Sequence, residues 1–307
     1  MKRLLKWLGI LLVISLCALT IYGFVWIRRY QGLADEEPQI TLSPDIPDIT
    51  YCTMDGIPLK MDLYLPERES SWQVLLYVHG GSFTSGDKRT GSGIVDIPAM
   101  TERGFAVAAI NYRLMPEYSF PAEVMDAKCA VRFLRAHADE YHLLTEKIGI
   151  WGGSAGGHLV AMMGLTNGDL AFEPGENREY SSQVDAVVDM FGPADLTLPM
   201  SWLQRTVLRR AFGTDSPSDP RLIEASPVQY VTRAAPPFLI LNGEQDTAVP
   251  VEHAQVLYEK LSDAGVDVTL VIVENANHNF KPTGGPIKPT RTEISDIMGD
   301  FFDRLLR

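Results

Sequence analysis

The sequence predicts an α/β fold built on a doubly wound, mostly parallel sheet. Three observations carry that expectation. From Trp72 onward, short apolar runs of strand length alternate with stretches of helical periodicity, as in βα units. Gly152-Gly153-Ser154-Ala155-Gly156 sets a serine between a strand pattern and a helix pattern. Ser154, Asp246 and His278 each fall just beyond a predicted strand, on the edge where a parallel sheet gathers its loops.

Composition narrows the function further. The 307 residues are 46% hydrophobic and 21% charged, ordinary for a globular chain with a sizeable core. The formal net charge is −12 and no lysine/arginine cluster lies beyond the N-terminus, so no nucleic acid partner is expected. Cys17 lies in an apolar run, and Cys52 and Cys129 show neither zinc spacing nor a disulfide framework. They read as two unpaired, buried thiols.

Residues 1–29 stand apart as an N-terminal transmembrane anchor or signal segment. Lys2, Arg3 and Lys6 precede the uncharged, mostly apolar run 7–27, and Arg28 and Arg29 close it. A spanning helix needs roughly 20 apolar residues. Trp7, Tyr22 and Trp26 sit towards the ends, as interfacial aromatics do. The run is long for a signal peptide and lacks an A-x-A-like site followed by a polar stretch, so it reads as an uncleaved anchor. The domain beyond it is expected outside the cytoplasm, with secretion after cleavage as the alternative. Basic residues flank both ends, so the positive-inside rule sets no orientation.

Residues 30–48, polar and carrying Pro38, Pro44 and Pro47, read as a linker, and 49–307 as one domain. Runs 49–52 and 59–65 read as strands joined by a turn at Asp55-Gly56. Alternation of Leu59, Met61, Leu63 and Leu65 with Lys60, Asp62 and Tyr64 suits a half-buried antiparallel edge pair. Runs 72–78 and 105–111 are denser, as strands covered on both faces are. His79-Gly80-Gly81-Ser82-Phe83 follows the first, and glycines there let backbone N–H groups approach a ligand. His79 itself reads as a structural residue that fixes the loop. Residues 122–138 place Val124, Ala127, Val131 and Leu134 on one helical face. Asp126 shares that helix and, once buried, needs a partner, for which Arg113 is the candidate. Residues 166–182 read as a loop and 184–191 as a strand. The proline-containing insertion 192–236, with an amphipathic stretch near 201–212, is expected to be a small cap. Strands at 238–242 and 268–273 and helices at 253–264 and 294–306 complete the chain.

Gly152–Gly156 fits the G-x-S-x-G nucleophile elbow. A serine at the tip of so tight a turn is strained, and side chains at the flanking positions would collide with neighbouring elements. The turn leaves Ser154 at a helix N-terminus, where the N–H of Ala155 is free to hold a developing oxyanion. Gly81, with Gly80 or Ser82 adjacent, is the second candidate donor. A hydroxyl is a poor nucleophile at neutral pH and needs a base. His278 is a candidate base, since an imidazole can take and return a proton, and Asp246 would hold its tautomer. Each residue also has a plainer reading. Asp246 suits a turn or helix cap, Glu244 is a competing acid, and His278 is one of six histidines. The order Ser…Asp…His together with the glycine loop favours the catalytic reading.

The chain resembles an α/β-hydrolase fold esterase, near the hormone-sensitive-lipase-like group and the related feruloyl/acetyl esterase (BD-FAE-like) branch. The shared features are His79-Gly80-Gly81, Asn111-Tyr112-Arg113-Leu114, Phe120-Pro121-Ala122 with Asp126, the Ser154 elbow, the 246–250 segment and His278, spanning roughly 51–280. Ser82 stands where the lipase-like pattern has a third glycine, which suits the feruloyl/acetyl branch better. The resemblance implies Ser154 as nucleophile, Asp246 as acid and His278 as base. Its oxyanion hole would be formed at Gly81, Ser82 and Ala155. The implied reaction is cleavage of short-chain carboxylic esters through an acyl-serine, with no metal and no organic cofactor. The rivals are a serine peptidase or acyltransferase of the same superfamily, or a catalytically silent binding module. Such peptidases usually carry a large N-terminal propeller, for which the stretch before Tyr51 leaves no room. Silent modules commonly lose a triad member, and all three are present here. The expected partner is a small-molecule ester, with membrane contact through 7–27.

Overall fold

Among the described residues, eight strands join in one sheet, seen in a computed structural model that describes Thr20, residues 40–67 and residues 71–307. β1 (Ile46–Met54) and β2 (Ile57–Tyr64) form an antiparallel hairpin. β3 (Trp72–Val78), β4 (Phe105–Ile110), β5 (Leu143–Gly153), β6 (Ala186–Met190), β7 (Phe238–Gly243) and β8 (Val268–Val273) follow. The order across the sheet is β1-β2-β4-β3-β5-β6-β7-β8. β2 meets β4 antiparallel, and every later pairing is parallel.

Helices α1 (Ile97–Glu102), α2 (Ala122–Ala136), α3 (Ala155–Leu165), α4 (Trp202–Phe212), α5 (Pro220–Glu224), α6 (Glu252–Asp263) and α7 (Arg291–Leu306) complete the domain. Successive strand residues point to opposite faces, and the two cores follow. Val74, Leu76 and Val78 of β3 pack with residues of α2, α3 and α6, whereas Leu75 and Tyr77 pack with residues of α1 and α7. The sheet is therefore doubly wound, as its alternating sequence pattern predicts. All of α3 is buried, which its nearly all-apolar sequence permits.

The hairpin is the expected antiparallel pair at one edge of the sheet, but its burial departs from expectation. β1 is the outermost strand, and β2 is enclosed between it and β4. The polar positions of β2 do not alternate out to solvent, and Asp62 and Tyr64 are buried. Asp62 is neutralised there by Arg89 Nε at 2.6 Å and Lys88 Nζ at 3.4 Å, and accepts the Asp48 N–H at 2.7 Å. A second correction concerns the thiols. Cys52 on β1 and Cys129 on α2 are joined in a disulfide, since the hairpin folds directly onto that helix. Helix α1 carries no periodicity long enough to have been expected from the sequence. Arg113 is the partner of Asp126, with Nη2 at 2.8 Å and the Arg113 N–H at 2.8 Å, both groups being buried.

Contacts divide the chain into two units, Met1–Glu37 and Pro38–Arg307. The predicted anchor over 7–27 lies outside the described residues apart from Thr20, which is helical. Among the described residues no helix is long and apolar enough to cross a membrane.

Candidate active site

β5 ends at Gly153 and α3 begins at Ala155, so Ser154 alone makes the turn, at φ 57° and ψ −123°. A non-glycine residue in that region costs about 1–3 kcal/mol and persists only where its surroundings enforce it. Here the Ser154 N–H donates to Met190 O at 2.9 Å, and Ser154 O accepts from the His158 N–H at 3.0 Å. Gly156 is required because a Cβ there would strike the Val78 carbonyl, forcing α3 away from β3. Ala155 opens the helix, so its N–H has no intrahelical acceptor.

The loop after β3 runs alongside this elbow. A Cβ on Gly80 would lie 2.7 Å from Gly153 O. Gly81 has φ 132° and Ser82 φ 52°, so the chain turns sharply where the second oxyanion donor is expected. Gly81 O accepts from the N–H groups of Thr84 and Ser85, at 3.1 and 3.0 Å. His79 is buried and stacked on Tyr112, with ring centroids 4.3 Å apart. Its Nδ1 lies 2.7 Å from Gly80 O, an acceptor, so the proton sits on Nδ1. Burial pushes its pKa down to about 4. His79 is thus neutral and fixes the loop.

Asp246 lies in the turn after β7, its side chain fully buried. Oδ1 accepts the N–H groups of Ala248 and Val249, both at 2.8 Å, and Oδ2 lies 2.7 Å from His278 Nδ1. An ionised carboxylate only accepts, so Nδ1 carries the proton and Nε2 keeps a lone pair. Asn277 ties the two loops, its Oδ1 accepting from the His278 N–H at 2.8 Å and the Thr247 N–H at 3.1 Å. Glu244 is turned away and accepts the Asn275 N–H at 3.1 Å.

Phe191, just after β6, joins the elbow to the histidine. Its ring meets His278 edge-on at 4.7 Å and lies 3.0 Å from where Gly153 would carry a Cβ. Ser154, Asp246 and His278 therefore gather at one edge of the sheet, with the His79–Ser82 loop beside them. The insertion 192–236 meets that edge through α4, whereas its later part, through Val228, packs into the core with residues of α3 and α6. α4 starts with a capping box between Ser201 and Gln204, and Gln204 also donates to Ala248 O at 3.1 Å, beside Asp246. The buried face of α4, through Leu208, Ala211 and Phe212, packs in one cluster with Ala155 and Phe83.

Three buried titratable residues near this edge carry no sequence motif. Asp189 at the end of β6 accepts the Gly192 N–H at 2.8 Å, and burial pushes its pKa up to about 7. His158 on α3 and His253 on α6 are both pushed down to about 4 by burial. His253 Nδ1 accepts the Asp195 N–H at 3.3 Å, tying α6 to the insertion. Of the histidines near this edge, His278 is the partly exposed one. Among the described residues no cluster of three or more His, Cys, Asp or Glu is arranged to hold a metal ion.

Known proteins are similar to this chain in sequence and in fold. The chain is 35% identical over 196 residues to a probable carboxylic ester hydrolase, LipM, of Mycobacterium tuberculosis, covering 61% of this chain and 44% of LipM. It spans about half the length of the curated relatives it matches. Its fold superposes on a truncated carbohydrate esterase from gut microbiota with TM-score 0.74 at 28% identity, covering 88% of this chain and 99% of that one. Esterase 2 of Thermogutta terrifontis, solved with butyrate bound, matches with TM-score 0.69 at 27% identity, over 85% of this chain and 94% of the esterase. The same esterase, phosphonylated by sarin, matches with TM-score 0.71 at 25% identity, over 85% and 95%. The BD-FAE family model matches residues 61–261. With the eight-stranded sheet, the elbow and the Asp–His pair already in place, the chain belongs to the BD-FAE family of α/β-hydrolase fold esterases.

Proposed function

We propose that this chain is a serine hydrolase that cleaves short-chain carboxylic esters through an acyl-serine intermediate. The observation that carries the reading is the Asp246–His278 pair, 2.7 Å apart, on the sheet edge that bears the strained Ser154 elbow. In the proposed cycle, His278 Nε2 takes the Ser154 proton as Oγ attacks the ester carbonyl. Buried Asp246 stabilises the imidazolium, and the N–H groups of Gly81 and Ala155, with Ser82 adjacent, receive the oxyanion. The alcohol leaves with the proton from His278. Water then gives a proton to His278 and attacks the acyl carbon, releasing the acid and restoring Ser154. The butyrate-bound Thermogutta esterase supports a short acyl group.

The same reading places residues 7–27 in a membrane and the domain outside the cytoplasm, with the stretch from residue 30 up to β1, which begins at Ile46, as linker. The Cys52–Cys129 disulfide supports an oxidising compartment, where such bonds persist. A membrane fraction that loses the protein on alkaline carbonate washing would refute the anchor.

The deciding experiment labels the full chain with a fluorophosphonate probe, wild type beside Ser154→Ala and His278→Ala. Labelling of wild type alone is expected. Labelling that survives Ser154→Ala would move the nucleophile elsewhere, and a folded wild type that takes no label would favour a silent binding module.

A further inference from the structure

We propose that His158 is a positioning residue that latches the cap insertion to the nucleophile helix, and so fixes the acyl-side wall of the site. The inference rests on the ester-hydrolase reading and goes beyond it by naming what limits acyl length. His158 lies on α3 one turn beyond Ser154 and is fully buried. Its Nε2 lies 2.7 Å from Ala225 O. A carbonyl only accepts, so the proton sits on Nε2, and Nδ1 is left buried with no partner. Burial keeps the ring neutral at ordinary pH.

Ala225 is the point at which the insertion closes on itself. It follows α5 directly, and the next residue, Ser226, accepts the Leu196 N–H at 2.9 Å and donates to Leu222 O at 2.6 Å. One bond from His158 therefore holds the insertion where its early and late segments are already tied together. The imidazole has a second contact. Phe83, two residues beyond Gly81, meets it edge-on at 5.0 Å and meets Phe212 of α4 at 5.4 Å. His158 thus sits at the joint of three elements: the nucleophile helix, the loop of the second oxyanion donor, and the cap.

Histidine suits that joint on two grounds. Its flat ring gives Phe83 an apolar surface, and its far edge supplies a donor to a buried carbonyl. Leucine in its place would leave Ala225 O without a partner, at the desolvation cost of an unpaired buried acceptor. With the latch closed, Phe83, Leu208 and Phe212 are packed against Ala155, all below a tenth exposed. A longer acyl chain has to displace that wall, so releasing the latch widens the site for it.

The test measures kcat and KM of the full chain in detergent on p-nitrophenyl acetate, butyrate and octanoate. His158→Leu removes the donor, and His158→Asn keeps an amide near the Nδ1 position that falls short of Ala225. His158→Gln carries its amide nitrogen out to the Nε2 position. The octanoate-to-acetate ratio of kcat/KM is expected to rise about tenfold in the Leu and Asn variants, chiefly through KM, at the low end of the discrimination a hydrophobic pocket exerts per methylene. The Gln variant is expected to keep the wild-type ratio. A ratio within twofold of wild type in whichever of the Leu and Asn variants folds overturns the proposal. So does an equal loss on all three esters, which marks a purely structural role. A wild type that takes no fluorophosphonate refutes the underlying hydrolase reading instead, which keeps the two failures apart.

Discussion

Replacing Asp246 by asparagine probes the chemistry with almost no change in volume. Oδ1 already receives two backbone donors, from Ala248 and Val249 at 2.8 Å each. An NH2 group at that position would face both and leave two N–H groups unpaired, at about 1–3 kcal/mol apiece. The amide oxygen must therefore occupy the Oδ1 position, which puts the NH2 at Oδ2, 2.7 Å from His278 Nδ1. A donor there forces Nδ1 to accept and moves the ring proton to Nε2. His278 is then the wrong tautomer to take a proton from Ser154. The equivalent change in a serine protease lowers kcat about 10⁴-fold, which is about 5.5 kcal/mol at 1.36 kcal/mol per factor of ten. We expect a similar fall in kcat on p-nitrophenyl acetate, with KM changed little and the unfolding midpoint preserved. A folded Asp246→Asn protein within tenfold of wild-type kcat would refute the assignment of Asp246 and the tautomer argument with it.

Glu244→Gln is the matching control: Glu244 bonds the Asn275 N–H rather than the histidine, so kcat within about threefold of wild type is expected. Reducing the Cys52–Cys129 bond, which spans a sequence separation of 77, is expected to lower unfolding free energy by about 4.5 kcal/mol on the loop-entropy estimate. Urea denaturation with and without dithiothreitol measures this, and coincident curves would refute it. Glu123 in the first turn of α2 is buried, its carboxyl oxygens lack a partner beyond their own backbone, and burial pushes its pKa up from 4.5 to about 8. The folded state then keeps a proton that the unfolded state loses. That contribution to stability is full below pH 4.5 and lost as pH rises through about 8. Glu123→Gln does not titrate, so its advantage over wild type should grow steadily between those two pH values. A difference independent of pH in denaturant melts would be the contrary result.

Much of the domain is local in origin and so was legible along the chain. Dense apolar runs, the elbow glycines and the Ser…Asp…His order are written in short stretches, because strand and helix periodicities follow from backbone geometry alone. Even the partner of Asp126 was readable, since a buried carboxylate demands a cation and Arg113 lay close by. Where polar residues were read as exposed, the reading failed. Asp62 is buried because Lys88 and Arg89, far along the chain, come to meet it. Asp189, His158 and His253 leave no trace in the sequence for the same reason, each being a single polar residue whose burial depends on distant elements.

The sequence by itself determined the class of fold, the serine elbow and the choice of three chemically capable side chains. Tertiary structure alone decided that Asp246 rather than Glu244 faces His278, that Cys52 meets Cys129, and that the insertion closes over Ala155. The division follows from range. Backbone propensities act over a few residues and leave a periodic trace, whereas pairing, burial and tautomer depend on which distant surfaces the packed sheet brings within 3 Å of one another.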